Sequence, residues 1–104
     1  MEFLVEFEVN APSRTPASEI EARNLAEASA AARLVDEGHL LRLWKPPAAP
    51  GQTKALGLYH GDSQAQLTDL LRALPLYDWM NITVTPLEAH PNDPGPRATV
   101  SAAR

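Results

Sequence analysis

Glu27 is the residue whose surroundings point most directly to chemistry. It sits in a stretch rich in alanine, glutamate and leucine that runs to Glu37, a good helix-forming composition. At about 100° per residue, it falls at the edge of an apolar stripe, next to Ala31 and Leu34. A carboxylate placed there loses hydration, its pKa rises toward neutrality, and it can take up and return a proton. The same spacing equally describes a solvated helix glutamate. Asn24 lies one turn earlier, inside the stripe, where it orients Glu27, donates to a ligand or marks a subunit contact. Arg42 either holds a carboxylate in a bidentate pair or pairs with Glu6 or Glu8. Trp44, Tyr59 and Trp79 are candidates for the wall of an apolar pocket, or for plain core. His60 closes a strand and is a second acid–base candidate, with capping or exposure as the alternative. The three histidines, His39, His60 and His90, lack ligand spacing, so no metal site is expected.

These residues need elements to carry them. Phe3, Val5, Phe7 and Val9 alternate with Glu2, Leu4, Glu6 and Glu8, the period of a strand buried on one side. A helix follows, with Thr15-Pro16 or Ser18-Glu21 as its start and Gly38 as its stop. Its expected buried stripe is Leu25, Ala28, Ala31, Ala32, Leu34 and Val35. His39 to Trp44 reads as a second strand, with Leu40, Arg42 and Trp44 on one face and Leu41 and Leu43 on the other. The proline-rich segment from Lys45 to Gly51 is a loop. A third strand runs from about Lys54 to His60. Asp62 or Ser63 caps a second helix with Leu67, Leu70, Leu71 and Leu74 on one face, ended by Pro75. Trp79 to Val84 makes a fourth strand, with Met80, Ile82 and Val84 opposite Trp79, Asn81 and Thr83.

The order βαββαβ predicts an α+β, ferredoxin-like sandwich, a four-stranded antiparallel sheet with both helices on one face. The expected domain spans residues 1–91, and residues 92–104 form a flexible C-terminal tail. The uncovered sheet face is too apolar to stay wet, so a homo-oligomer is expected, from a dimer up to a decamer. A net charge of −4 makes nucleic acid a poor partner. No apolar run spans a membrane, no signal peptide is evident, and there is no cysteine. The expectation is a cytoplasmic protein with a small-molecule substrate.

A set of motifs carries a resemblance. Phe3-Leu4-Val5 opens the chain, Glu27 stands in the first helix, and Gly38 precedes Leu43-Trp44. Asp62-Ser63 opens the second helix. The block Leu74-Pro75-Leu76-Tyr77-Asp78-Trp79-Met80 follows, then Val84-Thr85-Pro86-Leu87 and His90-Pro91. Over residues 1–91 the chain resembles the muconolactone Δ-isomerase family. The resemblance implies a cofactor-independent isomerase that moves a double bond in an unsaturated lactone, with Glu27 as the proton shuttle. It departs from the family between Pro46 and His60. The family's aromatic-Ala-Asn-aromatic and Ser-Val-Phe-Asp segments give way here to Thr53, Ala55 and His60 at the aromatic, Asn and Asp positions. Position 4 is Leu, where some members carry His.

Two other readings remain. One is a paralogue acting on a different enolisable molecule, of cyclase or dehydratase type, marked by a buried Glu27 with no anion anchor. The other is a non-catalytic ligand-binding or assembly domain, marked by an exposed Glu27 with no cavity.

Overall fold

The computed structural model describes residues 1–95, so residues 96–104 of the expected tail lie outside the described residues. The elements are β1 (Glu2–Val9), α1 (Ala17–Asp36), β2 (Leu40–Trp44), β3 (Thr53–His60), α2 (Gln64–Arg72), a 3₁₀ turn (Tyr77–Trp79) and β4 (Met80–Leu87). The strands form one antiparallel sheet in the order β2-β3-β1-β4, the ferredoxin-like arrangement expected from the element order.

Register explains which residues share a face. Phe3 lies opposite Tyr59 and Pro86, Val5 opposite Gly57 and Val84, and Phe7 opposite Ala55 and Ile82. These apolar rows meet Leu34 of α1 and Leu67, Leu71 and Leu74 at α2 in one core, in which Phe3, Val5 and Leu67 are fully buried. Pro86 is tolerated in a strand because β4 is an edge, where a missing N–H leaves no ladder bond broken.

The helix ends follow from local chemistry. Gly38 adopts φ 81°, and the bonds His39 N–H to Leu34 O and Gly38 N–H to Val35 O close α1 in a Schellman motif. Ser63 caps α2, its hydroxyl accepting from Gln66 N–H at 3.1 Å. At the start of α1, Thr15 does not cap. Its hydroxyl donates to Pro12 O, and Pro16 occupies the cap position.

Three further expectations change. The inward face of α1 carries Ile20, Arg23, Glu27, Ala30, Ala31 and Leu34, whereas Leu25 is 65% and Val35 55% exposed. An alanine-rich helix sets its own phase weakly, and here polar anchors at Arg23 and Glu27 fix the rotation. In β2 a bulge between Leu40 and Arg42 shifts the alternation. Leu40, opposite Tyr59, and Leu43, opposite Gly57, therefore share the helix side, while Arg42 and Trp44 take the open side opposite Leu58 and Leu56. Finally, Trp79 belongs to the 3₁₀ turn rather than to β4 and is buried, 7% exposed.

Candidate active site

Glu27 is held by the chain that leaves α2. After Arg72 the backbone turns through Leu74, whose N–H bonds Leu71 O. Pro75 has no N–H to offer. The next donor, Leu76 N–H, bonds Glu27 Oε1 at 3.0 Å. One turn earlier on the same helix face, Arg23 Nη1 donates to Pro75 O at 3.1 Å, and its guanidinium lies 4.3 Å from the centre of the Trp79 ring. Two side chains spaced i, i+4 thus clamp α1 to the Pro75–Leu76 turn. Sequence reasoning missed Arg23; its spacing from Glu27 was the available signal.

Beside this clamp, α1, the sheet and the Leu74–Leu76 turn enclose a cavity of about 290 Å³. Its polar lining residues are Asn24, Glu27, Thr53 and Tyr59; the others, including Phe7, Leu40, Leu43 and Met80, are apolar. An apolar cavity of about 150 Å³ accommodates benzene, so this space suits one small ring with short substituents. Burial raises the Glu27 pKa above its ordinary 4.5, and the Leu76 N–H bond offsets part of that rise. Burial, aided by the charge of Glu27, pushes the Tyr59 phenol up to about 12. A carboxyl of raised pKa and a protonated phenol therefore belong to two residues that line one small, mostly apolar space.

The remaining candidates lie elsewhere. A neighbouring cavity of about 370 Å³ shares Asn24, Thr53 and Leu76 and is walled by Trp79. Trp79 therefore stands next to the Glu27 cavity, not in it. Arg42 and Trp44 stack on each other across 5.1 Å on the open side of the sheet, which removes Arg42 as an anchor within the cavity of one chain. His60 is exposed at the end of β3, opposite Glu2 on β1, whose other neighbour in that row is Leu87 of β4. Its backbone, not its ring, bonds His39. The alternation of β3 that points Tyr59 inward points His60 outward, so His60 is not brought to Glu27. His90 accepts from Asn92 N–H in the turn after β4. The groove it lines with Glu2, Glu88 and Asp93 is larger, about 480 Å³, but its wall is exposed surface. Among the described residues, no three His, Asp or Glu side chains converge as a metal site would need, and no helix is long and apolar enough to cross a membrane.

Comparison with known proteins places this geometry. The chain is 33% identical over 92 residues to a muconolactone Δ-isomerase of Cupriavidus pinatubonensis, covering 88% of this chain and 97% of that protein. It is 35% identical over 95 residues to muconolactone Δ-isomerase 1 of Acinetobacter lwoffii, covering 88% and 93%. The crystal structure of a muconolactone isomerase superposes with a TM-score of 0.79 at 28% identity, over 92% of this chain and 97% of that one. A 5-chloro-2-hydroxyhydroquinone dehydrochlorinase from Burkholderia phenoliruptrix shares the fold, with a TM-score of 0.63 at 12% identity, over 86% and 96% of the two chains. The muconolactone Δ-isomerase family profile matches residues 1–93, and with these relatives and this fold the chain belongs to that family of isomerases.

Proposed function

We infer that the protein moves a double bond in a small unsaturated lactone of the muconolactone type, with Glu27 as the proton shuttle and no cofactor. The observation that carries this reading is a half-buried carboxylate of raised pKa, fixed by a backbone N–H at the wall of a small apolar cavity. The Glu27 carboxylate removes a proton from the carbon next to the conjugated system. The C–H electron pair moves into the ring and the carbonyl pair moves onto oxygen, giving a dienolate. The same carboxyl then returns the proton to the other end of the dienolate, which restores the carbonyl and leaves the double bond shifted. No proton is gained or lost overall. Ultraviolet absorbance during incubation with muconolactone tests this directly, since the conjugation changes; a folded protein that leaves the spectrum unchanged rejects the substrate.

One observation favours a second reading. Among the described residues, the lining of the cavity includes no Arg, Lys or His, so none of them pairs there with a substrate anion. This points to a paralogue whose enolisable substrate is uncharged. The two readings separate when an unsaturated lactone acid is compared with its methyl ester. If one chain supplies the whole site, the ester turns over with the higher kcat/KM, by about tenfold for each 1.4 kcal/mol of desolvation spared. A preference for the free acid returns the anion anchor to a neighbouring subunit.

Assembly belongs to the same inference. On the open face, Arg42, Leu58 and Leu4 form one cross-strand row, and Trp44, Leu56 and Glu6 the next. Trp44 is 40% and Leu41 43% exposed. An apolar patch of Leu4, Leu56, Leu58 and Trp44, edged by Arg42 and Glu6, is covered most simply on a small chain by a second copy. The wild type is expected to elute well above its 11.3 kDa monomer mass, and Leu58→Glu, at the centre of the patch, to shift elution toward the monomer. Identical elution of the two proteins rejects this face as the interface.

A further inference from the structure

We propose that the Tyr59 hydroxyl is a second catalytic group, donating a hydrogen bond to the substrate oxygen on which negative charge develops. The assignment rests on the proton-transfer reading above and adds to it the group that stabilises the dienolate.

Placement is the main argument. Tyr59 is 3% exposed, and its ring is set between Phe7, at a centroid distance of 6.1 Å, and the backbone of Gly57. A phenol so enclosed ordinarily finds a protein partner for its hydroxyl. Among the described residues this hydroxyl has none, yet it is not sealed from solvent. Tyr59 lines the cavity together with Glu27, whose charge acts on its phenol, and this cavity is the opening we assign to the hydroxyl. An unpartnered donor on the wall of a mostly apolar space is suited to an oxygen that a ligand brings. Thr53 and Asn24 are the other uncharged polar groups of that wall. Both lie toward the neighbouring cavity, which they also line.

The electrostatics give the donor its timing. While Glu27 is ionised, its charge together with burial keeps the phenol firmly protonated. When Glu27 takes the substrate proton, that charge disappears as the negative charge appears on the substrate oxygen. Tyr59 thus becomes a stronger donor at the moment an oxyanion forms, which is an interaction better made in the transition state than in the ground state. Tyr59 keeps its own proton throughout. The phenol O–H is not broken, and the C–H proton travels only to Glu27 and back.

Tyr59→Phe keeps the ring against Phe7 and over Gly57 and removes one oxygen atom, so the fold is expected to survive. Losing one oxyanion donor is expected to lower kcat about 10²–10³-fold, with KM within about threefold of wild type. A direct binding measurement runs beside the kinetics. p-Nitrophenol, a planar oxyanion mimic with an absorbance sensitive to hydrogen bonding, is titrated into the folded wild-type and variant oligomers. The wild type is expected to bind it at least tenfold more tightly (about 1.4 kcal/mol) than Tyr59→Phe. A variant kcat within threefold of wild type, or equal p-nitrophenol affinity, including no binding by either protein, overturns the assignment. If the wild type isomerises no lactone, the binding comparison alone decides the role of Tyr59, and only the lactone reading falls. If Glu27→Gln abolishes turnover while Tyr59→Phe changes neither readout, the proton shuttle stands and the donor falls.

Discussion

Glu27→Gln is expected to lower kcat by about 10²–10⁴-fold, the usual contribution of a positioned general base. The substitution keeps an oxygen for the Leu76 N–H bond and keeps the volume of the side chain, but it cannot accept a carbon-bound proton. KM should change little, because the cavity wall stays apolar and of the same shape. The pH profile gives an independent check. The wild-type rate should rise with pH as the Glu27 carboxyl ionises, with a midpoint displaced above the ordinary 4.5 because burial disfavours the charge. The residual rate of the variant should lose that step. Stability should move in the opposite direction from activity. A carboxyl whose pKa is raised on folding binds its proton more tightly in the native state. Its contribution to stability is therefore greatest at low pH and falls as pH climbs from the unfolded pKa through the folded one. The neutral amide introduced by Glu27→Gln carries no such penalty, so the variant should melt no lower than the wild type at neutral pH. Equal activity of the two proteins, or a variant that loses activity only because it unfolds, removes Glu27 from the mechanism.

Much of this architecture is legible in the chain because strand and helix signals are local. Alternation in β1 gives its buried face directly, and the leucines of α2 repeat at the helical period with Ser63 in the cap position. The site is less legible, and two residues show why. The bulge in β2 changes the face of every residue beyond it, so Arg42 and Trp44 alternate correctly with Leu40 by count and still lie on the other side of the sheet. Nothing in Leu40-Leu41-Arg42 announces an extra residue; only pairing with β3 creates it. Arg23 fails for a different reason. A hydrophobic stripe assigns polar residues to solvent, but a proline-containing turn offers an unused carbonyl and the next free N–H. The helix rotates to satisfy both with Arg23 and Glu27. That rotation leaves Leu25 and Val35 exposed. Glu27, by contrast, lies at the edge of the expected stripe and within the inward face that the helix adopts, so it faces inward after the rotation as well.

Gly57→Ala should cost about 1–3 kcal/mol of stability, the usual range for an extra methyl forced into a packed core, and should disable the site as well. Gly57 lies on the helix side of β3, opposite Val5 and Leu43. A Cβ there would stand 2.5 Å from Tyr59 Cε1, 3.2 Å from Cδ1 and 3.5 Å from Leu43 Cδ1. The nearest atoms belong to an aromatic ring that is itself buried and packed on Phe7, not to the free end of a flexible chain. Relief therefore requires the ring to swing about its χ angles, and its hydroxyl moves with it. For a domain of this size, 1 kcal/mol corresponds to a shift of about 4–8 °C in Tm, which thermal unfolding followed by circular dichroism would resolve. The activity loss should exceed what the unfolded fraction explains at 25 °C, because the folded variant also holds Tyr59 away from the substrate oxygen. Combining Gly57→Ala with Tyr59→Phe separates the two effects. If the glycine acts through the position of the hydroxyl, adding Gly57→Ala to Tyr59→Phe should still cost stability but should lower kcat much less than it does in the wild-type background. Full additivity of the two losses in kcat would show that Gly57 serves packing alone.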